Sequence, residues 1–96
     1  MATEVQVDHD IEQMLQEVVD SQKARRVILF NDEAHSMDEV VGQVKKATKC
    51  SVGDAMRITL EAHMKGQAVC FSGPMDKCVE VQSILQEIDL ACDIIE

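Results

Sequence analysis

Asn31, Asp32 and His63 are the residues of this chain whose types and spacing point to chemistry. Asn31 and Asp32 stop an apolar run, Val27-Ile28-Leu29-Phe30, and His63 closes the segment Leu60-Glu61-Ala62-His63. An ammonium ion offers three donors and no acceptor, whereas a carboxylate, an amide oxygen and a neutral imidazole nitrogen all accept. If the fold joins the strand end to the helix end, these side chains make a small polar cluster beside an apolar pocket. Such a cluster can hold a free amino group next to a buried hydrophobic side chain. Each residue also has an ordinary use. Asn-Asp after a strand is turn chemistry, and a histidine at a helix C-terminus suits the helix dipole. Cys70 and His63 form a rival pairing, as thiol nucleophile and base. Cys70 falls inside a strand-like run without an activating positive neighbour, and no glycine loop for an oxyanion is evident. No catalysis is therefore expected. Neither a phosphate-binding loop nor metal-ligand spacing occurs, so no cofactor and no metal are expected either.

The elements that must position these residues follow from hydrophobic period and punctuation. Ile11, Met14, Leu15, Val18 and Val19 recur at helical spacing and predict an amphipathic helix over residues 8–22, whose apolar stripe packs on its own domain or binds another. Arg26 to Asn31 reads as a strand buried on both faces. Ser36-Met37-Asp38-Glu39 is a capping box, and the helix after it should bury Met37, Val40, Val41, Val44 and Ala47. Ser51 caps a second helix, with Val52, Ala55, Met56, Thr59, Leu60 and His63 expected on its inner face and Gly66 as its left-handed stop. Gln67 to Ser72 is a second strand. Gly73-Pro74 breaks the chain, with Pro74 in the first turn of a third helix that buries Cys78, Val81, Ile84, Leu85 and Ile88. Residues 91–96 alternate as a last strand. The order β-α-α-β-α-β predicts an α+β two-layer sandwich, a three-stranded antiparallel sheet covered by three helices, with the N-terminal helix in addition.

Composition narrows the functions such a domain can have. A chain of 96 residues is one domain with at most a short appendage. Its net charge of −9 disfavours nucleic acid and anionic membrane as partners. With Phe30 and Phe71 as the only aromatics, no platform for stacking bases exists. Lys45-Lys46 and Arg25-Arg26 read as solvated ends. The four cysteines show no CxxC pair and read as small buried hydrophobes; the lack of a signal peptide points to a reducing cytoplasm.

At this level of detail residues 26–96 resemble ClpS, the adaptor family of the ClpAP protease. The resemblance is carried by Val27-Ile28-Leu29-Phe30-Asn31-Asp32, by Met37 with Val40-Val41, by Leu60-Glu61-Ala62-His63 and by Gly66-Gln67-Ala68-Val69-Cys70. It implies an N-terminal extension over residues 1–25 and an adaptor domain over 26–96. It also implies binding of N-degrons, free N-termini that begin with Leu, Phe, Tyr or Trp, and delivery to the N-terminal domain of a ClpA-type AAA+ unfoldase. In that family's terms Asn31, Asp32 and His63 would hold the α-ammonium. Met37 would be the gatekeeper against β-branched first residues, and Val40, Thr59 and Ala62 would line the pocket. Asp76 would take part in docking the unfoldase. The chain departs from the family in a helical rather than flexible, proline-containing N-terminal extension, in a shorter last loop near Asp89-Leu90, and in three places that bear on the site and its docking surface. Its loop lacks the usual Thr-Pro before Met37, and His35 adds a second titratable group there. Thr59 and Ala62 stand where Met and Val are frequent, which widens the pocket and adds a hydroxyl. Val81 stands where a basic docking residue is usual. A module of ribosomal-stalk design, binding a partner without reading N-termini, shares the element order but lacks the Asn-Asp and His cluster.

Overall fold

The computed structural model describes Ile11 and residues 23–96. Ile11 apart, the helix expected over residues 8–22 lies outside the described residues. Strand β1 (Arg25–Phe30) leads into helix α1 (Met37–Thr48), helix α2 (Val52–Lys65), strand β2 (Gln67–Gly73), helix α3 (Met75–Leu85), a 3₁₀ turn (Gln86–Ile88) and strand β3 (Cys92–Ile95). The sheet order is β2-β1-β3, and both pairings are antiparallel. This is the predicted order of strands and helices, with most boundaries shifted by a residue or two; the third helix, expected to run through Ile88, ends at Leu85 and continues as the 3₁₀ turn.

The helix ends are fixed by local chemistry. Ser36 caps α1 with the full capping box: its Oγ accepts from the Glu39 amide at 3.2 Å while its own amide donates to Glu39 Oε1 at 3.4 Å. Ser51 accepts from the Asp54 amide at the start of α2. Gly66 ends α2 at φ +90°, a conformation that costs a residue bearing a Cβ about 1–2 kcal/mol. Pro74 differs from expectation: it sits at the N-cap of α3, one residue before the helix. Its carbonyl accepts from Lys77 and Cys78.

The three helices cover one face of the sheet. Val27 and Leu29 of β1 and Ala68 and Cys70 of β2 meet Val40, Val44, Ala47, Ala55, Ile58, Ala62, Cys78, Val81, Leu85 and Leu90 in one core. A β-bulge shifts the β1–β2 register between Val27, opposite Phe71, and Ile28, opposite Val69. Three expectations about side chains need correction. On α2 the buried residues are Ala55, Ile58, Thr59 and Ala62, whereas Val52, Met56, Leu60 and His63 are exposed. Met37 is also not a core residue, being 41% exposed. Arg25 and Arg26 are not simply solvated: Arg26 donates to the Glu96 carbonyl at 2.8 Å and Arg25 approaches the Glu96 carboxylate, tying the end of β3 to β1.

Candidate functional site

Two backbone hydrogen bonds assemble the site where β1 ends. The Phe30 amide donates to Ala91 at 3.0 Å, and the Asn31 amide donates to the Gly66 carbonyl at 2.9 Å. Gly66 in turn donates to Ala62 at 2.9 Å. The left-handed glycine thus couples the end of β1 directly to the last turn of α2, which carries His63. Thr59, Ala62 and His63 lie at i, i+3 and i+4 on that helix and so share a face. Met37 and Val40 are supplied by the capped first turn of α1.

Between these elements lies a cavity of about 320 Å³, lined by Leu29, Phe30, Asn31, Asp32, Glu33, His35, Met37, Val40, Thr59, Ala62 and His63. Asn31, Asp32, His63, Met37, Val40, Thr59 and Ala62 therefore converge on one space. Asp76 does not: it is exposed in the first turn of α3. The floor is apolar, with Leu29, Val40 and Ala62 buried. Thr59 is buried as well, and its hydroxyl donates to the Ala55 carbonyl at 2.7 Å, so the pocket wall carries no unmet donor there. The rim holds two carboxylates and two histidines, with no lysine or arginine among the lining residues.

Asp32 is the most constrained polar group. Its Oδ1 accepts from the Ala34 amide at 2.7 Å and the His35 amide at 2.8 Å, and its Oδ2 lies 2.9 Å from His35 Nδ1. Burial pushes the carboxyl up, but the bond from the His35 ring, the two amides and the His35 charge outweigh it and hold Asp32 below its ordinary value. Asp32 is thus a fixed anion at neutral pH. Among the described residues, the side-chain amide of Asn31 and the His63 ring have no hydrogen-bond partner. The bond from Asp32 to the His35 ring was not foreseen from sequence, although the Asx turn that brings the Ala34 amide onto Asp32 is the ordinary turn chemistry of an Asn-Asp pair. Cys70 sits in the core beside Cys92, Cys78 and Cys50, and burial, with those thiols, pushes its own thiol up to about 12. A thiol so reluctant to ionise is a poor nucleophile. Among the described residues, no group of three or more His, Cys, Asp or Glu is placed to hold a metal.

This fold and cavity define a small α+β binding domain with an anionic, acceptor-rich rim over an apolar floor. Residues 20–92 match the family of the ATP-dependent Clp protease adaptor protein ClpS, and the chain belongs to that family. A solved structure of Agrobacterium tumefaciens ClpS2 bound to L-phenylalaninamide has the same fold, with a TM-score of 0.64, 20% identity, and coverage of 76% of this chain and 98% of that one. The E3 ubiquitin-protein ligase UBR1 of Drosophila melanogaster is 35% identical over 51 residues, which is 53% of this chain. The chain spans only about 3% of the length of that ligase. Among the described residues no helix is long and apolar enough to cross a membrane.

Proposed function

We propose that this domain is a protease adaptor that captures free N-termini beginning with Leu, Phe, Tyr or Trp and delivers them to a ClpA-type AAA+ unfoldase in the cytoplasm. The observation that carries the reading is the cavity itself: an apolar floor under a rim of acceptors, with no lysine or arginine among its lining residues. The α-ammonium donates to Asp32, to the Asn31 amide oxygen and to a neutral nitrogen of His63. Each such charge-assisted hydrogen bond is worth about 1.5–3 kcal/mol. The first side chain enters between Val40, Thr59 and Ala62, and burying it adds roughly 1.5–3 kcal/mol. After ordering costs, the sum is compatible with micromolar binding, which corresponds to about −8 kcal/mol. Met37, at the edge of the cavity, narrows the entry against β-branched first residues. The small Thr59 and Ala62 leave room for aromatic ones. Asp76, on the exposed first turn of α3, is available to the unfoldase.

Titration of labelled peptides tests this reading. Peptides beginning with Phe or Leu should bind, and their N-acetylated forms, which lack charge and two donors, should not. Asp32→Ala and His63→Ala should each weaken binding by about tenfold or more. Equal binding of free and acetylated peptides would instead favour an interaction module that does not read N-termini. The likeness to a stretch of UBR1 bears on capture alone, and a second reading of the downstream step hands the captured N-terminus to a partner other than an unfoldase. Pull-down with the N-terminal domain of an unfoldase separates the two, and an Asp76→Arg variant should abolish capture if the unfoldase is the partner.

A further inference from the structure

We infer that His35 is a positioning residue of the amine site, clamping the Asp32 carboxylate so that one acceptor position on Oδ2 is left for the incoming ammonium. The inference rests on the N-terminus reading and concerns a residue to which that reading gives no part. An ionised carboxylate has about four acceptor positions, two on each oxygen. Ala34 and His35 amides occupy Oδ1, at 2.7 and 2.8 Å, and His35 Nδ1 occupies one position of Oδ2, at 2.9 Å. Three are therefore filled from within the loop and one remains.

The two oxygens are held for different reasons. Oδ1 alone would leave the carboxylate free to turn about its anchored oxygen. The His35 ring, bonded to Oδ2, removes that freedom. Because an ionised Asp32 only accepts, Nδ1 must carry a proton. The ring itself is well placed to act as a fixed strut. Its side chain is only 21% exposed and that of Asp32 only 11%. The next residue is the Ser36 cap of α1, whose reciprocal bonds with Glu39 fix the backbone at that point. A chain of contacts thus runs from the α1 cap through His35 to the Asp32 oxygen on the cavity wall. An ammonium with three donors then finds one acceptor on each of Asp32, Asn31 and His63.

The test uses the full chain and a peptide beginning with Phe, with binding and thermal midpoint measured for His35→Ala, His35→Asn, His35→Gln, Asp32→Ala and the His35→Ala/Asp32→Ala pair. His35→Ala should weaken binding about tenfold. His35→Asn places an N–H donor at the same reach as Nδ1 and should stay within about threefold of wild type, whereas Gln, one carbon longer, should behave like Ala. Removing His35 should cost nothing further once Asp32 is gone, the mark of residues acting as one unit. Wild-type binding by His35→Ala, an Asn variant as weak as Ala, or losses that add in the double variant would each overturn the positioning role. If Asp32→Ala binds normally, or acetylated peptide binds as well as free, the N-terminus reading fails and this inference with it. If Asp32→Ala is weak but His35→Ala is not, only the inference about His35 fails.

Discussion

The Asp32 carboxylate accepts from two loop amides and a histidine ring, so it serves the folded loop as well as the cavity. Its folded-state pKa lies below the unfolded value of about 3.9. The stability it contributes is therefore fully present above that unfolded value and is lost as pH falls through the lower folded one. Asp32→Ala should destabilise the domain by about 1–2 kcal/mol at pH 7, since the Ala34 and His35 amides lose their acceptor. That difference, read from urea unfolding, should shrink steadily below pH 4; a difference constant down to pH 2 would contradict the assignment. At this scale the sequence was legible where residue type alone carries meaning. Asn31, Asp32 and His63 were singled out by acceptor chemistry and by spacing. The clamp from His35 was not, because it depends on how a loop without proline turns after Asp32, and no periodicity reports that.

Gly66 joins two elements through one residue, its carbonyl accepting from Asn31 and its amide donating to Ala62. Gly66→Ala should cost about 1–2 kcal/mol of stability from its left-handed backbone. It should also weaken binding of Phe peptides more than a remote substitution of equal cost, because Asn31 and His63 are both referenced to it. Measuring affinity and unfolding for both variants decides the matter. The glycine stop, the capping box and all three strands were readable from punctuation and period. The inner face of α2 was only half readable, for a physical reason. Two apolar arcs run along this helix: small Ala55, Thr59 and Ala62 with Ile58 face the sheet, and larger Val52, Met56, Leu60 and Met64 face outward. Hydropathy weights the larger side chains, but close approach of helix to sheet selects the smaller ones.

For the whole molecule, the cavity draws walls from β1, α1, α2 and the loop between β1 and α1. A ligand that touches all of them binds only the folded chain and stabilises it by mass action. A Phe peptide at a hundred times its dissociation constant should add about 2.7 kcal/mol. For a domain of this size that raises the thermal midpoint by on the order of 10 °C, and the acetylated peptide should raise it by none. The two-layer architecture and strand order could be anticipated from the order of elements. The bulge opposite Val27 and Ile28 and the burial of Leu90 after the 3₁₀ turn could not, since both arise from how the edges of the sheet close over the core.

The distribution of sulfur has a chemical consequence of its own. Cys70 and Cys78 are buried with raised thiols, whereas Met37 stands on the cavity wall and Met56, Met64 and Met75 stand on the surface. Peroxide should therefore reach these methionines before the buried Cys70 and Cys78, turning exposed thioethers into polar sulfoxides while the core stays intact. Under mild peroxide, loss of Phe-peptide binding should follow sulfoxide formation at Met37, tracked by mass spectrometry, and not at the more exposed Met64. Met37→Leu should bind and resist. An oxidising burst would then close this domain to hydrophobic N-termini without unfolding it, and methionine sulfoxide reductase would reopen it.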